Sequence, residues 1–407
     1  MGKVKDNTEI QGLTHFHVRG FKSIYNASIE PGYLNVIIGA NGAGKSNLLE
    51  ALGVMGSAVY GSIDQDTLER RGVRLGKPAI YKSAFKSEKL RPFITLEAKW
   101  KENETDVCYR IGMGNPLKQP QKRWYYKTES LEINGKPKVT RSPRSGAIFG
   151  EKKELDPFKG LVALARVDKD FSEQASAFLN ALEDYVIYMP TTPVLRGVQQ
   201  DGLGIYGGNL PAAVLEIIRM HHNRQIDLNI VFPLIDWMET FSSGIAPDIT
   251  KPPDNSVSKR TVTFTDKYMR KGRNILTSYD ASEGALFVLF LLSAIYSKKM
   301  PRMFAIDNFD SGINPRLLKD IVGIVSNILI KKNTEGKQVF LTCHNPLVLD
   351  GLPLYDDRIR LFALDRDKKG RTTITRIEVD ESLYKDNDVP LSTLWTMGAI
   401  GGVPKGF

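Results

Sequence analysis

The segment GANGAGKS, from Gly39 to Ser46, constrains the fold of this chain more than any other stretch. It fits the pattern G-x-x-x-x-G-K-[ST], follows the apolar run LNVIIG and opens the helical pattern KSNLLEALGVMGSAVYG. Glycines let backbone N–H groups surround phosphate oxygens, and the start of a helix adds partial positive charge. We therefore expect a buried strand, a phosphate-binding loop and a helix in this order.

The polar positions of this loop predict how a nucleoside triphosphate would be held. Lys45 should reach the outer phosphates, and the Ser46 hydroxyl should hold Mg²⁺. The cofactors expected from the motif are therefore ATP and Mg²⁺. The other nucleotide-binding candidates are the remaining positions of the loop and the first turn of the helix: Gly39, Asn41, Gly42, Gly44 and Asn47.

Three stretches of the C-terminal half supply further candidates. The apolar run from Met303 to Ile306 predicts a strand that ends in Asp307, the acid that a P-loop site needs to orient Mg²⁺. Ser282 and the Gly284 N–H precede a long apolar helix, where they could bind an anion or where Ser282 could be only a helix cap. The run LTCHNP places His344 after an apolar strand, with a structural role as the alternative.

Patterning along the chain predicts one α/β core that is split by an insertion. Residues from Phe93 to Phe149 alternate as strands do, with a hairpin at Asn134-Gly135. Residues from about 152 to 241 are mostly helical in pattern, including the run IVFPLIDWMETF. The resulting domain prediction is an N-terminal lobe over 1–149, a helical insertion over 150–257 and a C-terminal lobe over 258–407.

Composition limits the class of protein and its partners. Hydrophobic residues make up 42% and charged residues 25%, as in globular proteins, and no run of about 18 apolar residues occurs. We therefore expect a cytoplasmic protein without a membrane span. Cys108 and Cys343 are too far apart in sequence for a metal-ligand spacing. The net charge of +10 favours an acidic partner such as DNA, although a solvated surface would have the same composition.

Two basic stretches are candidates for contact with DNA. The segment from Lys118 to Arg144 has many cations around Trp124, Tyr125 and Tyr126, which would suit backbone contact and base stacking. The alternative is a solvated face over core aromatics. A second basic set, with the same two interpretations, consists of Lys267, Arg270, Lys271 and Arg273.

Taken together and in order, these motifs resemble an ABC-type ATPase head, and more narrowly the RecF/SMC/OLD-like group of prokaryotic ATPases labelled AAA. The likeness rests on FKS before the P-loop, Ser-Glu-Gly at 282–284 (similar to SDG), FAIDNFDSGINP (similar to DEPExxLHP) and TCHNP (similar to THSP). It is strong at both ends of the chain and loose in the middle. The fold that it implies is α/β, an ABC-type P-loop head with an antiparallel β lobe and a helical insertion.

The resemblance also implies a head-to-head dimer, or a higher oligomer of such heads, with ATP between two copies. In such a pair Lys45, Ser46 and Asp307 bind the nucleotide from one head. Ser282 and Gly284 contact the γ-phosphate from the other head.

The resemblance assigns the catalytic positions to Asn308, Asp310 and His344. Asn308 stands where the group has its catalytic Glu, and Asp310 stands at its second acid. Asn cannot accept a proton, so we expect slow ATP hydrolysis with Asp310 partly taking over as base. His344 would contact the γ-phosphate.

The function implied is an ATPase that controls a separately encoded effector, a nuclease, in anti-phage defence, as in Septu-like ATPases. No metal-binding acidic cluster follows His344, which favours a nuclease on another chain. The alternative is a RecF/SMC-like clamp that closes on DNA in repair or chromosome maintenance. A third possibility is a scaffold that hardly hydrolyses ATP.

Overall fold

The computed structural model describes residues 9–116, 118–197, 203–245, 260–333, 335–379 and 389–402. Within them, no helix has both the length and the apolar character that a membrane span requires. The two cysteines are unpaired, as expected from their separation.

A six-stranded sheet forms the centre of the α/β core, in the order β11-β15-β16-β3-β17-β18. Neighbouring strands are parallel except β17 and β18. Because β3, β15 and β16 are buried and parallel, their carboxyl ends meet at one edge of the sheet. The strands are β3 (Leu34–Gly39), β11 (Val186–Tyr188), β15 (Met303–Ile306), β16 (Gln338–Thr342), β17 (Ile359–Arg366) and β18 (Thr372–Ile377).

A nine-stranded sheet in which neighbouring strands run antiparallel forms the β lobe and confirms that part of the predicted fold. The predicted hairpin joins β7 to β8, with Asn134 and Gly135 both at positive φ, as a tight hairpin turn requires. The strands are β1 (Gly12–Phe21), β2 (Ile24–Ile29), β4 (Ile63–Asp64), β5 (Ile94–Glu102), β6 (Thr105–Gly114), β7 (Arg123–Ile133), β8 (Lys136–Arg141), β9 (Gly146–Ile148) and β10 (Glu151–Lys152).

A three-stranded sheet corrects part of the helical prediction. The run IVFPLIDWMETF begins within a 3-10 turn over Asn229–Val231 and then enters a strand, whereas its apolar spacing indicated a helix. Pro233 interrupts the helical pattern, and the residues from Met238 onward pair with the next strand. The sheet consists of β12 (Met238–Ile245), β13 (Arg260–Asp266) and β14 (Ile275–Thr277), the last two forming a hairpin.

Helices cover both faces of the central sheet. The helix after the P-loop, α1 (Lys45–Tyr60), lies in the core shared with the β lobe. The helix α8 (Glu283–Tyr296) is buried on all sides from Ala285 to Tyr296, because its sequence is apolar throughout. The helices are α1 (Lys45–Tyr60), α2 (Gln65–Glu69), α3 (Pro78–Tyr81), α4 (Leu161–Asp168), α5 (Glu173–Glu183), α6 (Thr192–Leu195), α7 (Leu210–His222), α8 (Glu283–Tyr296), α9 (Pro315–Lys331) and α10 (Leu391–Thr396).

The middle of the chain is helical, with α4 to α7, but it also reaches the central sheet. After α5 the chain enters β11, which pairs in parallel with β15 at Val186 and Phe304. The segment therefore contributes an edge strand beside the strand that leads to Asp307. The domain boundaries given above remain a prediction.

Candidate nucleotide-binding site

The phosphate-binding loop has the backbone that its glycines allow. The loop follows β3, and α1 begins at Lys45 with Gly44 as its N-cap at φ 114°. A Cβ at Gly44 would lie 2.4 Å from Thr372 Oγ1, and one at Gly39 would lie 2.4 Å from the Leu364 carbonyl oxygen. Other residues cannot occupy these two positions without displacing the strands beside the loop, so this backbone depends on both glycines.

Lys45 lies inside this loop, with 6% of its surface exposed. Its Nζ donates to the carbonyl oxygens of Gly39 at 2.7 Å and Ala40 at 3.3 Å. Burial lowers the pKa of the ammonium, and the nearby carboxylates of Asp307 and Asp310 counteract this effect. The loop thus presents a poorly solvated cation, which interacts strongly with phosphate oxygens.

Asp307 follows β15, as the sequence predicts, and hydroxyls from two other elements orient its carboxylate. Ser46 Oγ donates to Oδ2 at 2.8 Å, and Thr342 Oγ1, at the end of β16, donates to Oδ1 at 2.5 Å. A serine hydroxyl and a carboxylate are oxygen ligands of the kind that Mg²⁺ prefers beside substrate phosphates. Together with the glycine loop and Lys45, they fit a nucleotide with its Mg²⁺. Among the described residues, no group of three or more His, Cys, Asp or Glu side chains is arranged as a metal site.

Asn308 begins a tight turn at the tip of β15. Its φ is 54°, a left-handed conformation that Asn tolerates better than most residues. Its backbone N–H donates to Thr342 Oγ1 at 2.9 Å, and its carbonyl accepts from the Ser311 N–H at 2.9 Å. Thr342 therefore holds both Asp307 and the turn that follows, a role that the sequence analysis did not assign.

Asp310 and His344 belong to one connected loop system. Asp310 Oδ2 accepts the backbone N–H groups of His344 at 2.8 Å and Asn345 at 2.5 Å. The His344 ring lies at the loop, with Nδ1 3.5 Å from Lys45 Nζ. Partial burial and the Lys45 cation lower the pKa of His344, which favours the neutral imidazole at neutral pH.

Ser282 and Gly284, at the start of α8, are not hydrogen-bonded to this cluster among the described residues. Ser282 caps the helix, its hydroxyl accepting from the Ala285 N–H at 3.3 Å, and it is exposed. A Cβ built at Gly284 would find no atom within 4 Å. Within the described ranges, the hydrogen bonds of the P-loop cluster do not reach either residue. Hydrogen bonds within one chain thus connect the P-loop, Asp307, Asn308, Asp310 and His344, but not Ser282, the N-cap of α8, or Gly284 in its first turn.

The strands after β16 supply contacts to the P-loop that the sequence analysis missed. Arg366 Nε, on β17, donates to the Gly42 carbonyl at 2.8 Å, and Thr372 Oγ1, on β18, donates to the Ala43 carbonyl at 2.7 Å. On the other side, Asn47 donates to Ser23 Oγ at 2.7 Å. No motif marks Arg366 or Thr372, because their strands reach the loop only through sheet pairing.

A cavity of about 660 Å³ adjoins the P-loop, within the usual size of ligand pockets. Lys22 and Arg74 both pair with Glu50 on α1, the Arg74 Nε to Glu50 Oε1 distance being 2.5 Å. These pairs fix the cavity wall beside Asn47. Its polar and aromatic lining includes Lys22, Ser23, Asn47, Arg74, Tyr81, Phe85 and Arg366.

The two basic stretches differ in what they expose. In the β lobe, Trp124 and Tyr126 are 4% exposed, and the buried Arg141 donates to the Asp156 and Lys159 carbonyls. These two aromatics are core residues, so the stacking interpretation is wrong for them. In the hairpin between β13 and β14, by contrast, Tyr268 is 75% exposed, and the four cations predicted there are exposed as well.

Comparison with known proteins gives similarities at two levels. The SMC head domain from Thermotoga maritima is 13% identical with a TM-score of 0.48, over 90% of this chain and 99% of that one. A second similar structure is a Pyrococcus furiosus Smc head domain with an extended coiled coil, bound to the C-terminal domain of ScpA. It is 11% identical with a TM-score of 0.49, over 92% of this chain and 98% of that one. No curated protein gives a significant match.

A family model described as "AAA domain, putative AbiEii toxin, Type IV TA system" matches residues 34–137 and 233–350, more than half of the chain. The matched ranges contain the P-loop, the turn before α8, Asp307 and the loop of His344. This chain therefore belongs to that AAA-domain family.

Proposed function

We propose that this protein is an ATPase whose copies close head to head on ATP and that the closed pair controls a separately encoded effector, a nuclease acting in anti-phage defence. The observation that carries the ATPase assignment is the contact of Ser46 with Asp307 beside the buried Lys45. These residues come from two distant segments of the chain, the start of α1 and the end of β15, and converge on one glycine loop. The defence role rests on the resemblance of the motifs.

The residues of the loop have distinct tasks in this proposal. Lys45 binds the outer phosphates and stabilises the charge that develops on them. Ser46 and Asp307 hold Mg²⁺, which when bound neutralises phosphate charge. The neutral His344 lies beside Lys45 and can donate a hydrogen bond to a phosphate oxygen.

The proposed dimer is supported by the position of Ser282 and Gly284. Ser282 caps α8 and Gly284 lies in its first turn, neither is hydrogen-bonded to the P-loop cluster among the described residues, and the space beside Gly284 is open. The N–H groups at the start of α8 can bind an anion that a second copy presents. The site is then complete only when two chains meet.

Substituting Gly284 tests the dimer directly. Gly284→Gln fits the isolated chain, because nothing lies within 4 Å of its Cβ, but it would project into a second head. We expect the wild type to elute as a dimer with ATP and Mg²⁺ and the variant to stay monomeric while binding ATP. Gly323→Ala, within α9, is the control, because its new Cβ would lie at an ordinary contact distance of 3.6 Å from the nearest atom. A dimer of unchanged stability in Gly284→Gln would contradict the head-to-head arrangement.

Purification from cells that carry the native locus tests control of an effector. A tagged wild-type chain should retain one nuclease-like protein in near-equal amount, and Gly284→Gln should change that amount. If neither chain retains such a protein, the two-protein function is wrong, even where ATP still drives dimerisation.

The slow turnover that we propose follows from Asn308 and from the contacts of Asp310. An amide at position 308 cannot act as general base. Asp310 Oδ2 already accepts two backbone N–H groups, so this oxygen is engaged in holding the loop of His344 and Asn345. Both contacts favour a role in which Asp310 positions the loop of His344, rather than a role in which it replaces the missing base.

Paired substitutions at position 310 separate these two roles. Asp310→Asn keeps an oxygen that can accept the His344 and Asn345 N–H groups, whereas Asp310→Ala removes it. If Asp310 positions the loop, we expect the Asp310→Asn variant to keep turnover within a few-fold of the wild type. The Asp310→Ala variant should lower turnover about tenfold or more. Phosphate release under single-turnover conditions measures both. An equal, large loss in both variants would instead assign the base to Asp310.

The alternative function, a clamp that closes on DNA, is favoured by the hairpin between β13 and β14. Its tip combines the exposed Tyr268 with four exposed cations in one short turn. Exposed aromatics can stack on bases, and cations bind the phosphate backbone. The hairpin is therefore the best-supported DNA contact of this chain.

Salt dependence tests this contact. Arg270→Ala/Lys271→Ala should reduce the slope of log affinity against log salt by up to about 2 for duplex DNA, since two phosphate contacts are lost. Filter binding over a salt series gives the slope. Lys86→Ala/Lys89→Ala, at two exposed positions of another loop, is the charge-matched control. Equal slopes for both pairs would remove the hairpin from DNA binding.

A further inference from the structure

A groove with a volume of about 870 Å³ lies at the end of the central sheet opposite the P-loop. It is lined by the last turns of α7, α8 and α9 and by Lys337, which directly precedes β16. The P-loop, in contrast, follows the carboxyl end of the parallel strand β3. The groove is therefore separate from the nucleotide site.

The floor of the groove is apolar. Ile295 from α8 and Ile328 and Leu329 from α9 are buried there, and Met220 and Ile226 complete the lining from α7 and the loop that follows it. An apolar side chain of a ligand would lose its contact with water on this floor. The floor therefore offers an anchoring position for such a side chain.

The rim of the groove is cationic and open to solvent. Arg224, Lys331 and Lys332 are exposed, and none of them has a carboxylate partner among the described residues. The rim also has Lys298 paired with Glu335 at 3.3 Å, and Asp227 as a second acid. The unpaired charge on the rim is thus mainly positive, which favours an acidic ligand.

The wall contributes a polar group that lacks a partner. Tyr296, the last residue of α8, is 8% exposed, and within the described residues its buried hydroxyl has no hydrogen-bond partner. Buried hydroxyls are normally paired, so the unpaired hydroxyl of Tyr296 is an available donor in the wall of the groove. An acceptor on a ligand in the groove would satisfy it.

The wall itself is rigid. The buried Lys337 donates to four carbonyls at and after the end of α8, including Ser297 at 2.8 Å and Met300 at 3.0 Å. These bonds fix the end of α8 against the loop before β15. They also engage the Lys337 ammonium, so it is not part of the cationic rim.

We propose that this groove binds an acidic segment of a partner protein, with an apolar side chain on the floor and carboxylates at Arg224, Lys331 and Lys332. A segment fits better than a small anion, because the cations lie at the ends of two helices around a long apolar floor. The proposal deepens the effector contact proposed above by giving it a surface. It is tested by binding alone, without ATP, so its failure is distinguishable from failure of the ATP-dependent function.

The test uses the full chain and a fluorescein-labelled synthetic peptide in which Asp and Glu alternate with Phe and Leu. We expect saturable binding by fluorescence anisotropy, and no binding of a matched peptide with Lys in place of the acids. Lys331→Glu/Lys332→Glu should weaken binding at least about tenfold through charge repulsion. The control Lys86→Glu/Lys136→Glu changes the net charge equally at two exposed positions outside the groove and should bind as the wild type does.

A second variant tests the wall without changing charge. Tyr296→Phe keeps the ring and removes the unpartnered hydroxyl, so we expect an unchanged or higher melting temperature and about fivefold weaker peptide binding. Lys45→Ala should bind the peptide normally. Three results would overturn the proposal: no saturable binding, equal affinities for the groove and control charge variants, or displacement of the peptide by inorganic phosphate at the same concentration, which would indicate a small-anion site.

Discussion

Replacing Asn308 with Glu is expected to raise the rate of ATP hydrolysis by about a hundredfold. General bases typically contribute factors of about 10² to 10⁴, and the lower value is appropriate here for a structural reason. Asn308 has φ 54°, a conformation in which Glu is strained by roughly 1–2 kcal/mol. The backbone bond to Thr342 Oγ1 does not depend on the side chain, so the turn should persist in the variant.

Phosphate release with saturating ATP and Mg²⁺ measures the effect. Asn308→Gln is the matched control, since Gln has nearly the size of Glu but cannot take a proton. Faster turnover in the Glu variant alone would assign position 308 to the base. If Glu and Gln variants hydrolyse ATP at the wild-type rate, the residue does not occupy the base position and the slow-turnover proposal fails.

Replacing Lys45 with Ala is expected to lower hydrolysis by about 10²–10³-fold and to abolish ATP-dependent dimerisation. The ammonium is the cation at the centre of the P-loop, and removing one preorganised electrostatic group from a site of this kind has an effect of that size. Because Lys45 is 6% exposed and bonded to two loop carbonyls, the substitution also loosens the loop itself.

Two measurements distinguish loss of function from loss of structure. Thermal unfolding should show that Lys45→Ala remains folded, and calorimetry should show that its ATP affinity falls. Lys45→Met, which keeps most of the side-chain volume without the charge, should behave as Ala does if charge is the cause. A Met variant that still binds ATP and dimerises would mean that the loop geometry, and not the cation, holds the nucleotide.

The sequence predicted most of this site because its parts are local. The glycine pattern, the apolar strand before it and the helix after it fix β3, the loop and α1 within one short stretch. The same is true of β15, whose apolar run ends at Asp307, and of α7 and α8, whose apolar residues match their observed bounds closely. In the run from 230 to 241 the helix prediction was wrong, because a proline interrupts the helical pattern and the residues from Met238 pair with a neighbouring strand.

Other features could not be read from the sequence because they depend on contacts between distant segments. Thr342 reaches Asp307 from a neighbouring strand, and Arg366 reaches Gly42 across more than three hundred residues of chain. In the β lobe, Glu129 is fully buried, accepts the Leu161 and Val162 N–H groups, and lies 3.8 Å from Arg141. A carboxylate at that depth must be paired, so Arg141 is drawn inside.

By itself, the sequence therefore predicted the glycine loop with its lysine, the acid at the end of β15 and the absence of a Glu beside that acid. These depend on residue type and short spacing, which the chain carries directly. The tertiary structure decided which cations and aromatics face solvent, what orients Asp307 and Asp310, and that Ser282 and Gly284 lie outside the P-loop cluster. Burial and pairing between distant segments are properties of the packed fold, because each is fixed only when the two sheets and the helices come together.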